Sequence, residues 1–302
     1  MTSDGTSRLV VVALGGNLIS PPKGTLGIAG ERAVIERMAG ELALLATAGT
    51  RLLVVHGNGP QVGRLLNAQG GDTDDLDVCV AQTQGELGYL LAEALDAQLG
   101  ADSTVALLTR VLVDPHDPAF AAPTKPIGAV LSAPPSGTPA VRTADGAAWR
   151  RVVASPRPIA VVEQAAIRTL LANHHVIAGG GGGMALADGP SGRRPCPAVV
   201  DKDWVAALLA VALSADQLLF VTDVPHAFDR FGASDQDAIH ALTVAEARAR
   251  LSDGTFAPGS MEPKVASAVD FVMATGRPAV ITTRGGVGAA MRGAAGTVIR
   301  LD

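Results

Sequence analysis

The sequence predicts an α/β fold, a mostly parallel sheet with helices on both faces, and three observations support it. Short β-branched runs alternate along the chain with segments of helical period, as in right-handed βαβ units. Only 3% of the residues are aromatic, so valine, leucine, isoleucine and alanine must form the core. The chain has 302 residues, 48% of them hydrophobic, which is enough for one large domain or two lobes.

Seven short apolar runs are the predicted strands of this sheet. In one of the helical segments between them, Val265, Val269 and Val272 share a face. Gly49 and Gly276 each stand just before a predicted strand, where the C-terminal cap of a helix is expected. The predicted strands are residues 9–14, 51–56, 104–108, 176–178, 217–222, 279–283 and 297–301.

Composition argues against several classes of partner. The net charge is −5, no basic stripe is present and aromatics are scarce, so nucleic-acid binding is not expected. The longest apolar run, residues 206–221, is interrupted by Ser214 and Asp216, and no membrane span is expected. Two isolated cysteines, Cys79 and Cys196, indicate a reducing cytoplasm. Residues 9–14 are interpreted as a strand rather than a signal peptide, and the residues before about Arg8 as a frayed terminus.

Lysine is rare in this chain, with four lysines against twenty arginines. Three of the four, Lys125, Lys202 and Lys264, lie in tight settings beside prolines or aspartates. An ammonium is a compact charge on a flexible stem, whereas a guanidinium is planar and bulkier. Three such charges could converge on one phosphoryl group. The alternative is a codon preference for arginine, with the remaining lysines scattered by chance.

Three glycine-bearing loops each follow a predicted strand, beginning at Gly15, Gly57 and Gly179. Ligands bind outside the carboxyl ends of strands in an open parallel sheet, and glycine lets phosphate oxygens approach backbone N–H groups. Any one loop could be an ordinary tight turn, but three at equivalent positions favour an anion site. No glycine precedes a lysine, and the five-glycine run lacks the dinucleotide pattern, so neither a P-loop enzyme nor a dehydrogenase fits.

Two of these lysines are predicted at helix N-termini, where a cation is disfavoured. Asp201 can cap a helix over residues 204–213 and Asp203 lies in its first turn, so capping alone explains both acids. Capping does not explain Lys202, which suggests an ammonium oriented between two carboxylates. Lys264 repeats the pattern, because a proline precedes it at the predicted start of the next helix.

Other strand ends carry candidate polar groups. Thr222 and Asp223 end a predicted strand, a position suited to nucleotide contacts, and residues 254–260 are a plausible mobile cover. His56 is interpreted as structural rather than as a proton carrier, because phosphoryl transfer depends on the positioning of charge more than on acid–base chemistry. Residues 115–158 hold nine of the nineteen prolines and are either a functional excursion or a disordered insert; their lysine, Lys125, favours function.

Taken together, the motifs resemble the carbamate kinase family, in the family's order and over residues 9 to about 283. The proline-rich segment with its lysine separates this resemblance from other amino acid kinases. The matching motifs are ALGGN at 13–17, HGNGPQVG at 56–63, PTKPIG at 123–128, the glycine run at 179–183, VDKD at 200–203 and GSMEPKV at 259–265.

The resemblance implies a three-layer α/β/α sandwich with an eight-stranded, mainly parallel sheet, in one domain over residues 8–302. Residues 8–200 would form the substrate lobe, residues 201–302 the nucleotide lobe and residues 115–158 a protruding lid. The implied reaction is reversible phosphoryl transfer from carbamoyl phosphate to ADP with Mg²⁺, giving ATP and carbamate. A cytoplasmic homodimer acting on small molecules is also implied, its carbamoyl phosphate supplied by arginine breakdown or by purine and allantoin breakdown.

The resemblance also assigns roles to individual residues, and no metal ligand to the protein, since Mg²⁺ would arrive with the nucleotide. Lys125, Lys202, Asp203 and Lys264 would be catalytic, with Asp203 orienting Lys202 and Lys264. The substrate side would be formed by Gly15, Gly16, Asn17, Gly57, Asn58, Gly180 and Gly181. The nucleotide side would be formed by Thr222, Asp223, Ser260, Met261 and Lys264.

The sequence departs from the family's pattern at three places: at Glu262, from Met184 to Leu186, and at Pro225-His226. A carboxylate at Glu262 could repel nucleotide phosphates or pair with the lysine or metal. Two alternatives to a carbamate kinase therefore stay open, namely another amino acid kinase acting on a different acceptor, and a nucleotide-binding regulatory protein without turnover.

Overall fold

The computed structural model describes residues 8–21, 27–46, 49–70, 73–143 and 145–302, so the predicted frayed terminus lies outside the described residues. The helices are α1 (Ile28–Ala43), α2 (Gly59–Ala68), α3 (Leu76–Leu99), α4 (Gln164–Leu170), α5 (Lys202–Ala212), α6 (Val244–Ser252), α7 (Met261–Thr275) and α8 (Val287–Ala290). The strands are β1 (Arg8–Leu14), β2 (Thr50–His56), β3 (Thr104–Ala106), β4 (Arg110–Val113), β5 (Lys125–Leu131), β6 (Ala140–Arg142), β7 (Trp149–Val153), β8 (Pro158–Val161), β9 (His175–Ile177), β10 (Met184–Gly189), β11 (Gly192–Val199), β12 (Gln217–Thr222), β13 (Ala227–Asp229), β14 (Asp237–Ile239), β15 (Ala241–Thr243), β16 (Ala279–Thr283) and β17 (Thr297–Arg300).

The main sheet has eight strands in the order β15-β17-β16-β12-β1-β2-β9-β3. Its neighbouring strands run parallel except for the antiparallel pair β16 and β17. Strands β1, β2 and β9 are adjacent, so the loops that follow them meet at one edge. The predicted fold class, with its mainly parallel eight-stranded sheet, is confirmed.

The alternation of side chains along β1 produces the three layers. Val11 and Ala13 face a core that is completed by α5 and α7. Val10, Val12 and Leu14 face a separate core that is completed by α1, α3 and α8. Both faces of the strand are buried, which explains the unbroken apolar run that the sequence shows.

All seven predicted strands are present, two of them with the predicted bounds and the others with ends that differ by at most two residues. β3 ends at Ala106 rather than at residue 108, and β9 begins at His175 rather than Val176. Gly276 caps α7 in the left-handed conformation, as predicted. Gly49 does not cap a helix, because α1 ends at Ala43.

Several strands were not predicted. The eighth strand of the main sheet, β15, is only three residues long. A second sheet has the order β11-β10-β4-β8, and β13 pairs with β14 in a short hairpin. The prolines and arginines of β11 gave that strand no recognisable alternation of apolar and polar residues.

The proline-rich segment is not structureless, because it contains a three-stranded antiparallel sheet, β5-β7-β6, here called the small sheet. Helix α2 packs against its first strand, where Asn67 accepts a hydrogen bond of 3.2 Å from the Ala129 amide. A Cβ built on Gly63 would lie 3.7 Å from the Gly128 Cα, so helix and strand approach closely.

None of the helices in the described ranges combines the length and hydrophobicity needed to span a bilayer.

The five-glycine run after β9 needs glycine for two reasons. Gly179, Gly181, Gly182 and Gly183 all have positive φ, which other residues adopt only at a cost. A Cβ on Gly182 would also collide with the carbonyl oxygen of Val200. The run is therefore pressed against the residues that open α5.

This packing predicts that substitution of two glycines with the same backbone conformation will lower stability by different amounts. Gly182 has φ +90° and Gly192 has φ +88°, but a Cβ on Gly192 meets nothing within 4 Å. Gly192→Ala should lower the free energy of unfolding by about 1–3 kcal/mol from backbone strain alone. Gly182→Ala should lower it clearly further, as measured by urea denaturation, and equal losses would contradict the close packing.

Candidate active site

The first two glycine loops touch each other at the carboxyl edge of the main sheet. The Gly57 amide donates to the Leu14 carbonyl over 3.0 Å, and the Gly15 amide donates to Val221 over 2.9 Å. A Cβ on Gly57 would lie 2.7 Å from the Gly16 nitrogen, so glycine is required there. The Asn58 side chain is fixed from behind, where it donates to the Thr83 hydroxyl over 2.9 Å.

The three unusual lysines converge above this floor, and two carboxylates hold them. Lys202 Nζ donates to Asp203 Oδ1 over 2.8 Å, and Lys264 Nζ donates to Asp203 Oδ2 over 3.1 Å. One buried carboxylate thus holds two ammonium groups from different helices. Lys125 Nζ, from the small sheet, donates to Asp201 Oδ2 over 2.6 Å.

Helix α5 places both carboxylates. Asp201 is its N-cap, as predicted, because its Oδ1 accepts from the Asp203 amide over 2.9 Å. The same side chain binds Lys125 through its other oxygen, a second role that the sequence did not reveal. Asp203 follows in the first turn, where the helix dipole favours a negative charge.

The charged groups of the site shift one another's pKa values. Burial alone would raise the pKa of Asp201, but the charges of Lys125 and Lys202 and the hydrogen bonds from Lys125 and the Asp203 amide outweigh it, lowering that pKa to about 2. Burial opposes the charge on Lys202, yet Asp203 and Asp201 together raise its pKa. Asp201 and Lys202 are therefore ionised at neutral pH, and Lys202 presents positive charge to the space above them.

That space is a cavity of about 300 Å³. Its walls combine the glycine loops, the three lysines and the predicted nucleotide contacts at Thr222 and Asp223. Asn17 links the two sides, since its Nδ2 donates to Asp223 Oδ2 over 2.8 Å. The predicted residues on its walls are Gly15, Gly16, Asn17, Gly57, Asn58, Lys125, Gly181, Lys202, Asp203, Thr222, Asp223, Ser260 and Lys264.

Two predicted site residues lie elsewhere. Gly180 is not on the cavity wall; it lies behind it, where its carbonyl accepts from Gln84 and a Cβ would lie 2.5 Å from His56 Nε2. Met261 lines an adjoining cavity of about 220 Å³ that shares Thr222, Asp223, Ser260 and Lys264 with the first. Apolar side chains, among them Phe228 and Phe256, form much of this second wall.

The sequence pattern of the amino acid kinase family matches residues 8–283. The chain belongs to the amino acid kinase family. It is 40% identical to the carbamate kinase of Lentilactobacillus hilgardii over 313 aligned positions, covering 97% of each chain. It is 36% identical to the carbamate kinase-like protein YahI of Escherichia coli, covering 97% of this chain and 98% of the other.

The solved structures agree with this assignment. The carbamate kinase from Giardia lamblia bound to AMP-PNP superimposes with a TM-score of 0.89 at 35% identity, over 99% of this chain and all of the other. The expected resemblance is confirmed. The chain groups with carbamate kinases within the amino acid kinase family, and it is therefore a phosphotransferase.

The departures from the family's pattern leave the lysines of this kinase in place. The Glu262 side chain is exposed, while Lys264 donates to Asp203 and to the Ser260 carbonyl. Met184 begins β10 and packs in a small core beside α2 and α3. His226 stacks edge-on against His240, with ring centroids 4.7 Å apart, in the loop before β13.

His56 lies beneath the glycine loops and is 1% exposed. Its Nδ1 lies 3.0 Å from the Gly57 carbonyl, which assigns the proton to Nδ1. Burial outweighs this hydrogen bond and lowers the pKa of His56 to about 4. The ring is therefore neutral under ordinary conditions, which supports the structural interpretation.

The buried histidine predicts how stability changes with pH. The unfolded chain binds a proton near pH 6.5 that folded His56 does not accept until about pH 4, so stability falls as pH drops through this window. This one group should cost about 2 kcal/mol of unfolding free energy between pH 7 and pH 5.

His56→Asn, which retains an N–H donor, should show a correspondingly smaller loss when urea denaturation is compared at pH 7 and pH 5. The cavity left by the smaller side chain affects both pH values equally and cancels in the difference. An unchanged difference would show that the folded protein binds this proton as readily as the unfolded chain does, so that burial does not lower the pKa of His56.

Proposed function

We propose that this kinase transfers a phosphoryl group reversibly between carbamoyl phosphate and Mg-ADP, giving ATP and carbamate. The observation that carries the proposal is the junction at Asp203, which turns the ammonium groups of Lys202 and Lys264 toward the same cavity. Phosphoryl transfer requires positioning and neutralisation of charge spread over three equatorial oxygens. Cations fixed above a floor of backbone N–H groups meet that requirement without any acid–base residue.

In this proposal the two lobes bind different substrates. The loops at Gly15–Asn17 and Gly57–Asn58 would hold carbamoyl phosphate, and Gly181 would complete this floor. Thr222, Asp223, Ser260 and Met261 would contact the nucleotide, whose base fits the adjoining apolar cavity. Lys264 lines both cavities and Lys202 lines the first, and Asp203 joins them, so the two lysines would follow the phosphoryl group between its donor and its acceptor.

In the ATP-forming direction, an oxygen of the ADP β-phosphate attacks phosphorus. The bond between phosphorus and the carbamate oxygen breaks, and its electron pair stays on that oxygen. Lys125, Lys202 and Lys264 would stabilise the charge on the equatorial oxygens during this step. Asp203 would keep two of the lysines apart and correctly aimed, because a free ammonium tip has many rotamers.

Mg²⁺ would arrive with the nucleotide. Within the described ranges, no group of three or more histidine, cysteine, aspartate or glutamate side chains is placed to hold a metal ion. Mg²⁺ is commonly bound by one or two carboxylates together with substrate phosphates. Asp223, at the junction of the two cavities, fits this arrangement, and the ion would neutralise phosphate charge there.

Residues 115–158 would act as a lid that carries Lys125 over the substrate, with the Lys125–Asp201 ion pair closing it.

The protein would act as a homodimer. The exposed Tyr89 on α3 and the exposed Leu108, which follows edge strand β3, would lie in the contact between the two subunits. We place the enzyme in the cytoplasm, where carbamoyl phosphate would come from the breakdown of arginine or of purines and allantoin.

The proposal predicts that the purified protein forms ATP from carbamoyl phosphate and Mg-ADP. Lys264→Ala should lower kcat at least about a hundredfold, since it removes one fixed charge from the transition state. Arg248→Ala, which removes an exposed cation on α6, should leave the rate unchanged. A coupled luciferase assay measures the ATP.

Wild-type turnover no faster than that of Lys264→Ala would overturn the proposal. In that case, phosphorylation of acetylglutamate, aspartate or UMP would indicate another amino acid kinase. Calorimetric binding of ADP without any turnover would indicate a regulatory protein.

A further inference from the structure

A second crevice, of about 450 Å³, opens from the active-site cavity and runs between α2 and the small sheet. It shares Asn17, Asn58 and Lys125 with the main cavity. A ligand bound above the glycine loops can therefore extend into it. The proposed roles of the lysines concern only the phosphoryl group and leave this space without a function.

The charge of this crevice has a single sign. Lys125, Arg64 and Arg150 lie on its wall, and no aspartate or glutamate does so among the described residues that line it. The whole chain carries a net charge of −5, so a purely cationic wall is a local feature. An anion that enters the crevice therefore meets cationic side chains on its wall and no acidic one.

Arg150 differs from the other two cations. Lys125 and Arg64 are both paired with carboxylates of the protein. Arg150 donates from Nη2 to the Gly128 carbonyl over 3.2 Å, and its buried Nε has no acceptor. In the part of the chain that the structure describes, no carboxylate lies within ion-pair distance of it.

A half-buried cation without a counterion is costly to maintain. Burial lowers the pKa of Arg150, and no neighbouring charge opposes this shift. A guanidinium nevertheless stays charged in proteins, and its planar fork matches two oxygens of a carboxylate or phosphate. The free donors of Arg150 thus suit a planar oxyanion that comes from outside the protein.

We propose that Arg150 binds the carbamate end of the substrate, so that the crevice selects the group to which the phosphoryl is attached. This inference rests on the proposed function. When the phosphorus–oxygen bond breaks, its electron pair remains on the carbamate oxygen, and the departing group is a planar carboxylate-type anion. Lys125 begins β5 and Arg150 lies on the adjacent strand β7, so one sheet would contact both ends of carbamoyl phosphate.

The experiment measures ATP formation by wild type, Arg150→Ala, Arg150→Lys and Arg142→Ala. Arg142 is the matched control, because it lies on the same small sheet but is exposed and stacks on Trp149. Arg150→Ala should raise the KM for carbamoyl phosphate at least tenfold while the KM for ADP changes less than twofold. Arg150→Lys should recover part of this loss, and Arg142→Ala should match wild type.

A second measurement needs no stable Arg150→Ala protein. Acetate has the shape of carbamate, so it should inhibit the wild type competitively with carbamoyl phosphate and non-competitively with ADP. The inhibition constant should rise in Arg150→Lys and stay constant in Arg142→Ala. Inhibition that is equal in all three proteins would overturn the inference.

Other outcomes are equally decisive. If Arg150→Ala raises both KM values together, or matches Arg142→Ala, Arg150 has no specific role toward carbamate and the inference is wrong. If the wild type itself forms no ATP from carbamoyl phosphate, the proposed function fails first. The two failures are therefore distinguishable.

Discussion

The two oxygens of the Asp203 carboxylate hold the ammonium groups of Lys202 and Lys264, and the rest of the site depends on this contact. Asp203 is 1% exposed, so its carboxylate contacts the two lysines rather than solvent. Removal of one partner from such a buried group costs about 3–5 kcal/mol, whereas an exposed pair is worth little. The burial that makes the arrangement costly also makes it rigid, and rigidity is what a site for a migrating phosphoryl group requires.

The sheet topology explains how residues so distant in sequence come together. Because β1, β2 and β9 are neighbours, their three glycine loops form one continuous floor, and glycine allows the loops to touch. Helices α5 and α7 pack side by side on one face of the sheet and bring Asp203 to Lys264. The small sheet contributes Lys125, which Asp201 holds. Helix α5 carries both Lys202 and Asp203, whereas α7 and the small sheet each contribute one lysine, so none of the elements could form the site alone.

Much of this fold could be predicted from the sequence, because buried parallel strands are written as short β-branched runs between helical segments. Strand β15, which was not predicted, is too short to show such a pattern. For the site, residue type and local setting identified the lysines and the glycine loops. They did not reveal the bond between Lys125 and Asp201, which lie 76 positions apart, nor the unpaired Arg150, which resembles any arginine on a strand. The spacing of residues along one segment predicts the local structure of that segment. Contacts between residues far apart in sequence depend on the topology of the whole fold.

The most direct test of the account asks whether Asp203 acts through the lysines that it binds. Asp203→Asn would be measured for kcat in the wild type and in Lys264→Ala, as a double-mutant cycle. The account predicts a loss of at least about a hundredfold in the wild type and less than about tenfold in Lys264→Ala, because half of what Asp203 holds is then absent. Equal losses in the two backgrounds would contradict the account, since Asp203 would then act independently of Lys264.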